Sequence, residues 1–194
     1  MTTLIETEKS ALIMHDMSGE MEMLIATCCE ICDEELDVNP EIKIFGKPCH
    51  QHRSIGFYSN DSEGYFYSGQ LAASKPLHPC MRELMDNINE RFESDFNGIL
   101  INKYASGEDY IGKHSDNEKA LNPKVGVLMV SHGAVRKFRI RNKETNEIVM
   151  DVPTEQNKIL QMAGNFQKEF THEIPVEKRV KGARYSLTFR KHTK

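Results

Sequence analysis

Residues 184–190 read Arg-Tyr-Ser-Leu-Thr-Phe-Arg and carry the clearest strand pattern in the sequence. Polar and apolar or aromatic residues alternate at a period of two, which predicts a β-strand with two different faces. Arg184, Ser186, Thr188 and Arg190 then share one face. Two guanidinium groups on one buried face need anionic partners, because burying an unpaired charge costs free energy. A dicarboxylate ligand would satisfy both, since Arg binds carboxylates through a two-pronged fork. The alternative is a pair of surface arginines on an edge strand.

Further short segments of this kind surround the 184–190 strand. We predict strands at 42–45, 65–68, 98–104, 125–131, 137–141, 148–152, 158–162 and 169–174, separated by Gly, Asn and Pro. Apolar residues at three- and four-residue spacing instead predict helices at about 21–32 and 76–92. Two helices and many short strands predict an α+β, mainly β fold, with two N-terminal helices packed on one sheet of a β-sandwich or jelly roll.

A candidate metal site lies ahead of the 125–131 strand. His114 and Asp116 are two residues apart, so in a strand or at its exit both side chains can face one point. His172, in an aromatic-flanked strand, is the candidate third ligand. Two His and one carboxylate on one face of a divalent metal leave three positions open, which is the facial arrangement of non-haem Fe(II) oxygenases. A lone His-x-Asp is more often a structural pair.

Asn102 and Tyr104 show the same two-residue spacing on the 98–104 strand. Their polar ends would project from one face and could complete the hydrogen bonds of a ligand held by the two arginines. The alternative is an ordinary pair of sheet residues with a partly buried tyrosine hydroxyl.

Composition limits the classes of protein that this chain can be. It has 194 residues, with 25 Lys+Arg against 29 Asp+Glu, which fits one compact domain and excludes a wholly basic, histone-like protein. No apolar run approaches the roughly 20 residues of a membrane helix. Residues 134–194 carry 14 basic and 7 acidic residues, a weak indication of an anionic partner.

The five cysteines and the absence of a secretory signal pattern predict a reducing compartment, nuclear or cytoplasmic. Cys29 and Cys32 form a single C-x-x-C without a second pair, so packed helix cysteines are the favoured interpretation over a zinc or redox site.

Taken together, these motifs resemble the AlkB family of Fe(II)/2-oxoglutarate dioxygenases, from about residue 42 to the C-terminus. The segments that carry the resemblance include Asn102-x-Tyr104, His114-x-Asp116-x-Glu118, 131–138, His172-x-x-Pro175 and the 184–190 strand. It implies a double-stranded β-helix. We expect this fold to form one domain over 18–194, and the sequence of residues 1–17 predicts a loose tail ahead of it. Within that domain it implies a nucleotide-recognition lid at about 40–72 and a catalytic jelly roll at about 96–194.

The resemblance also implies how the cofactors are held. His114, Asp116 and His172 would bind Fe(II), and Arg184, assisted by Tyr104, would pair with the distal carboxylate of 2-oxoglutarate. Arg190 and Asn102 would hold the cosubstrate end nearer the metal. The family usually has Asn where this chain has Ser186, which reaches less far and offers fewer donors, and Thr188 lies between Ser186 and Arg190. With O2, iron and 2-oxoglutarate would supply the oxidant that hydroxylates an N-alkyl group and releases formaldehyde.

Substrate residues are implied by the same resemblance. Tyr65, Tyr67 and Ser68 match the segment that borders a flipped base, and Glu118 matches an acidic residue that reads an exocyclic amino group. Arg53 matches an arginine of the lid. Phe45 matches a finger that wedges into duplex DNA, although an ordinary hairpin core residue is an equal alternative. Lys178 and Arg179 match a loop that contacts the phosphate backbone.

The expected function is therefore oxidative demethylation of 1-methyladenine and 3-methylcytosine in DNA, with duplex favoured, or in RNA, by a monomer without a membrane anchor. One alternative is a 2-oxoglutarate oxygenase of the same fold that acts on a protein or a small molecule. Another is a catalytically inactive jelly roll that binds nucleic acid.

Overall fold

The computed structural model describes residues 1–44, 46–67, 70–116 and 124–191. Within these residues the helices are α1 (Gly19–Cys32), α2 (Pro79–Phe92) and the short α3 (Phe166–Glu169), with a 3₁₀ turn at Asp33–Glu35. The first strands are β1 (Thr2–Glu6), β2 (Ser10–Asp16), β3 (Glu41–Ile44), β4 (Lys47–His50), β5 (Ser54–Tyr58), β6 (Gly64–Tyr67) and β7 (Gln70–Lys75). The later strands are β8 (Gly98–Tyr104), β9 (Ile111–His114), β10 (Val127–Gly133), β11 (Lys137–Asn142), β12 (Ile148–Pro153), β13 (Lys158–Gly164), β14 (Phe170–Ile174) and β15 (Arg184–Arg190).

The strands of the described residues form two facing sheets and a hairpin. The larger sheet has nine strands in the order β1-β2-β13-β10-β15-β8-β5-β7-β6, and the smaller has four in the order β12-β11-β14-β9. The β3 and β4 strands pair only with each other. A mainly antiparallel pair of packed sheets with helices on one outer face is the jelly-roll architecture expected from the sequence, and that expectation is confirmed.

Alternation along the central strands separates two cores. Ile99 and Ile101 of β8 pack against α1 and α2, together with Leu128 and Val130 of β10 and Leu187 of β15. The residues between them point to the opposite face of the nine-stranded sheet, towards the smaller sheet. There Met129 joins a second apolar cluster. Because side chains on a strand alternate in direction, the same strand supplies packing on one face and polar groups on the other.

The helices begin within three residues of the predicted positions, at Gly19 and Pro79. Ser18 caps α1, since its Oγ accepts a hydrogen bond from the backbone N–H of Met21 at 3.3 Å. Pro79 stands at the first position of α2, where its missing N–H is tolerated. Both helices place apolar residues against the large sheet, as predicted.

The N-terminal segment corrects one expectation. Residues 1–17, predicted to be a loose tail, contain β1 and β2. The β2 strand pairs with β13 over seven register positions, from Lys158↔Asp16 to Gly164↔Ser10. Leu12 is fully buried and Ile5 nearly so. The pairing partner lies about 150 residues away in sequence, so the order of this segment comes from tertiary contacts rather than from a local pattern.

The cysteines of α1 are packed in the helical core. Cys28, Cys29 and Cys32 are buried free thiols, and burial raises the pKa of Cys32 to about 12. Cys49 and Cys80 are half-buried and also free. The structure therefore favours the packing interpretation of the C-x-x-C pair. Among the described residues, no helix is both long and apolar enough to span a lipid bilayer.

Candidate active site

The three candidate metal ligands meet between the two sheets. His114 is the last residue of β9, Asp116 follows two residues later, and His172 lies in the middle of β14. His114 and His172 are direct partners in the antiparallel β9–β14 ladder, and their ring centroids are 4.3 Å apart. One potential ligand atom of each of the three residues lies within 4.8 Å of the others. The separation in sequence is thus closed by strand pairing.

Charge at this cluster is balanced by a buried arginine. Arg190 Nη2 donates to Asp116 Oδ1 at 2.8 Å, and His172 Nε2 lies 3.6 Å from Asp116 Oδ2. Burial alone would raise the pKa of Asp116, but Arg190 and the two imidazoles outweigh it and lower the pKa below its usual range. Burial and the neighbouring His114 lower the pKa of His172 to about 3. The cluster therefore offers a carboxylate and neutral imidazoles at neutral pH, the protonation states that bind metal.

Two further contacts orient the ligands. Nδ1 of His114 lies 2.9 Å from the carbonyl oxygen of Gly112, an arrangement in which Nδ1–H donates and Nε2 carries the lone pair. The backbone N–H of Asp116 donates to Gln167 Oε1 at 2.9 Å, so α3 holds the turn that presents this carboxylate. These residues fit a divalent iron: two imidazoles and one carboxylate grouped together, with Asp116 and His172 buried and His114 half-buried.

Arg184 forms the other end of the same pocket. Its side chain is fully buried, and Nη2 donates to Ser131 Oγ at 2.9 Å. Its Nε and Nη1 are buried without a hydrogen-bond partner among the described residues. Burial lowers the pKa of Arg184 to about 10, so it stays cationic at neutral pH. A buried guanidinium with unmade hydrogen bonds needs an anion to complete it, and a carboxylate has the matching geometry.

The other predicted cosubstrate residues line this pocket. The Tyr104 ring centroid is 5.3 Å from Arg184 Cζ, and Asn102 accepts a hydrogen bond from Arg53. Ser186 and Thr188 are buried between the two arginines of β15. Eleven of the predicted site residues thus line one cavity: Arg53, Tyr65, Asn102, Tyr104, His114, Asp116, His172, Arg184, Ser186, Thr188 and Arg190.

Tyr65 is more enclosed than its expected base-stacking role requires. It is 7% exposed, and Arg190 Cζ lies 4.9 Å from its ring centroid. The ring therefore packs on the arginine that neutralises Asp116. Phe45, Ser68 and Glu118 lie outside the described residues, as does the side chain of Tyr67, whose backbone belongs to β6.

Lys178 and Arg179 are exposed in a turn outside the cavity. The turn is docked by backbone hydrogen bonds, from Glu177 N to Gly107 O at 2.7 Å and from Gly107 N to Val180 O at 2.9 Å. The Glu177 carboxylate faces inward, where it accepts from the buried Arg136 at 3.2 Å. Its charge is therefore neutralised, and the turn is more basic at its surface than a count of its residues suggests.

Two positioning residues were missed by the sequence analysis. Ser131, the partner of Arg184, pairs with Ser186 in the β10–β15 ladder, and Gln167 lies in a helix of four residues. Ser131 stands in a predicted strand, so its face was a usable signal. No local pattern marks Gln167.

Comparisons with known proteins agree with this geometry. Residues 12–190 match the family model of the 2OG-Fe(II) oxygenase superfamily. The chain is 32% identical over 157 residues to the human protein named DNA oxidative demethylase ALKBH2, covering 77% of this chain and 60% of that one. It is 32% identical over 135 residues to human alpha-ketoglutarate-dependent dioxygenase alkB homolog 3, covering 65% of this chain and 47% of that one. The chain thus spans less than two thirds of the length of these relatives.

A likeness in fold extends further than the likeness in sequence. A solved structure of OsALKBH1 matches 96% of this chain and 100% of its own, with a TM-score of 0.57 and 12% identity. At that identity the match speaks for the fold alone.

Proposed function

This chain belongs to the 2OG-Fe(II) oxygenase superfamily, its resemblance to the AlkB family is confirmed, and from that premise we propose that it is an oxidative demethylase of alkylated nucleobases. The observation that carries the proposal is the pairing, in one buried pocket, of the His114–Asp116–His172 cluster with the incompletely bonded guanidinium of Arg184. A metal site alone fits many reactions, whereas this pair fits iron and a dicarboxylate together.

The residues of the pocket have separable tasks. His114, Asp116 and His172 would hold Fe(II), which together with 2-oxoglutarate and O2 supplies the oxidising chemistry. Arg184, with Tyr104 beside it, binds the distal carboxylate of 2-oxoglutarate. Enclosure between two sheets excludes water from the reacting groups.

Arg190 both neutralises Asp116 and, with Asn102, binds the end of the cosubstrate nearest the metal. Ser186 and Thr188 supply hydroxyl groups between the two arginines. Ser186 is shorter than an amide side chain, so it offers fewer hydrogen bonds to the cosubstrate.

The substrate class rests on similarity to proteins named DNA oxidative demethylase. We propose 1-methyladenine and 3-methylcytosine in DNA, with duplex favoured over RNA, as the substrates. A base in a duplex must leave the stack to reach the metal, at a cost of a few kcal/mol. Tyr65, Tyr67, Ser68 and Glu118 would border and read it, and Phe45 would fill the gap in the stack.

The turn that carries Lys178 and Arg179 supports an anionic partner. Both side chains are exposed, and the inward salt bridge of Glu177 removes the nearest opposing charge. Contacts of this kind bind phosphates without reading sequence. We propose that the enzyme acts as a monomer, in the nucleus or the cytoplasm.

The test is a substrate panel with the Fe(II)-loaded chain. The enzyme is assembled anaerobically with 2-oxoglutarate and then given O2 and single- or double-stranded oligonucleotides that carry different methyl lesions, with unmethylated oligonucleotides as matched controls. Formaldehyde and succinate released together, and only with methylated strands, support the proposal. Succinate release that is indifferent to methylation would favour an oxygenase of proteins or small molecules. Failure to bind iron and to form succinate would favour a binding module.

A further inference from the structure

Arg53 is a buried residue that lines the same cavity as the candidate cosubstrate residues. It is 4% exposed, and its Nε donates to Asn102 Oδ1 at 2.7 Å; Asn102 itself is 7% exposed. A charged donor makes this a strong hydrogen bond, and burial keeps water from competing for it. The contact links a residue expected to recognise substrate with one expected to bind 2-oxoglutarate.

This hydrogen bond decides which way round the Asn102 amide lies. Arginine has donors and no acceptor, so the atom of Asn102 that faces Arg53 must be the carbonyl oxygen. The NH2 group is then directed elsewhere, and no other side-chain hydrogen bond of Asn102 occurs within the described ranges. Because Asn102 lines the cavity, the amide offers donors to an anionic ligand there instead of a repelling oxygen.

Backbone hydrogen bonds hold the chain on both sides of Arg53. The carbonyl oxygen of His52 accepts from Tyr110 N at 3.0 Å, and the two rings stack with centroids 4.5 Å apart and planes 20° from parallel. Ile55, two residues after Arg53, pairs with Asn102 in the β5–β8 ladder and with Asp37 through an isolated bridge. Tyr110 directly precedes β9, the strand that ends in His114, so Arg53 is held between the large sheet and the metal strand.

We propose that Arg53 is a positioning residue for the cosubstrate: it fixes the Asn102 amide so that its NH2 group donates to the carboxylate or keto oxygen of 2-oxoglutarate. The effect of Arg53 on 2-oxoglutarate therefore passes through Asn102. This inference rests on the cosubstrate chemistry of the proposed function and does not depend on the nucleic-acid substrate.

The first test measures 2-oxoglutarate binding without nucleic acid or turnover. Calorimetric titration of 2-oxoglutarate into the Mn(II)-loaded full chain is compared for wild type, Arg53→Met, Asn102→Ala and the double variant. Methionine fills the space of the arginine stem without a donor or a charge, so the fold should tolerate it. We expect Arg53→Met to weaken binding about tenfold, the size of one charge-assisted hydrogen bond. Arg82→Gln, an exposed arginine of α2, is the control and should bind as wild type does.

The double variant separates action through Asn102 from direct contact. If Arg53 acts only by holding the amide, the double variant binds no more weakly than Asn102→Ala, because the group being positioned is already gone. Additive losses would mean that Arg53 acts on 2-oxoglutarate directly, and would overturn the proposal. Thermal unfolding of each variant, compared with wild type, shows whether a loss of binding reflects a loss of fold.

A kinetic readout separates this role from recognition of a base. Arg53→Met should raise the KM for 2-oxoglutarate. The KM for a methylated oligonucleotide, measured at saturating 2-oxoglutarate, should stay within about twofold of wild type. A higher KM for the oligonucleotide with an unchanged KM for 2-oxoglutarate would show that Arg53 recognises the substrate, and would overturn the proposal. If no oligonucleotide proves to be a substrate, the proposed function fails, but the calorimetric comparison still decides the role of Arg53.

Discussion

The metal and cosubstrate pocket and the segment expected to recognise substrate are built in different ways. The cosubstrate residues stand on long, mutually paired strands: β15 and β8 are in register over seven positions, from Arg184↔Tyr104 to Arg190↔Gly98. The metal ligands come from the shorter β9 and β14, which pair with each other inside the four-stranded sheet. The segment expected to form the lid, residues 40–72, is made of short strands and turns. Within the described residues, the β3–β4 hairpin has four paired positions and joins neither the nine-stranded nor the four-stranded sheet. The β6 strand lies at the edge of the nine-stranded sheet.

This contrast teaches where the chain can vary. A one-residue change of register in β8 or β15 would turn every pocket side chain of that strand to the opposite face. The positions of these pocket residues therefore depend on the strand pairing of the whole sheet. Hairpins and loops at the periphery can change in length and sequence without moving the metal site. We therefore expect substitutions in the pocket to affect every substrate equally, and those in the periphery to affect some substrates more than others.

The largest effect should come from Asp116. Asp116→Ala removes a metal ligand and should reduce succinate formation to background with every oligonucleotide. It also leaves Arg190 buried without its carboxylate, at a cost of about 3–5 kcal/mol in stability. Asp116→Asn keeps an acceptor for Arg190, so it should lose the same activity with a smaller fall in Tm. Activity retained by either variant would remove Asp116 from the site.

Arg184 should show opposite effects on function and stability. Arg184→Met should raise the KM for 2-oxoglutarate about a hundredfold, since two charge-assisted hydrogen bonds are lost. Without ligand, the same variant should be more stable than wild type by about 1 kcal/mol or more, because the buried guanidinium lacks hydrogen bonds at Nε and Nη1. The rate of succinate formation at different 2-oxoglutarate concentrations gives the KM, and urea unfolding without ligand gives the stability. Lower stability of the ligand-free variant would show that Arg184 serves packing.

A substitution at Phe45 tests the expected substrate-recognition role of the peripheral segment. If Phe45 fills the gap left by an extruded base, Phe45→Ala should lower kcat/KM on duplex substrate about tenfold and on the same single strand much less, since stacking on one base contributes about 1–3 kcal/mol. The measurement is formaldehyde release from matched single- and double-stranded oligonucleotides. Equal losses on both would assign Phe45 to the hairpin core instead.

The smallest effect should come from the basic turn. Replacing Lys178 and Arg179 by Ala should weaken binding a few-fold at physiological salt and reduce the slope of log K against log salt by about 2 on duplex DNA. Fluorescence anisotropy over a range of NaCl concentrations gives the slope. An unchanged slope would mean that this turn does not touch phosphates.

The same contrast explains what the sequence alone could predict. The bounds of the β8 and β15 strands, Gly98–Tyr104 and Arg184–Arg190, agree with the prediction. Polar residues alternate with apolar or aromatic ones along β15, and the end of β8 repeats the two-residue spacing at Asn102 and Tyr104. The β5 strand, Ser54–Tyr58, was missed because its five residues, Ser-Ile-Gly-Phe-Tyr, show no alternation of polar and apolar side chains. The three candidate metal ligands could be selected from the two-residue spacing of His114 and Asp116 and from the chemistry of His172, and the structure brings them together.

Contacts that depend on tertiary register lay beyond the sequence. The bond from Arg53 to Asn102 crosses between neighbouring strands, and Gln167 reaches Asp116 from a helix of one turn. Neither has a local period. The resemblance supplied a role for Arg53, but only the structure showed that its side chain is buried against Asn102.

The pairing of β2 with β13 has a practical consequence for anyone who shortens the chain. The family match begins at residue 12, which is inside β2. A protein cut there would lose β1 and the start of β2. Cutting after residue 17 would remove both strands and leave β13 as an open sheet edge, with unpaired backbone groups at Ile159–Met162 and mostly apolar side chains. Chains aggregate on edges of this kind.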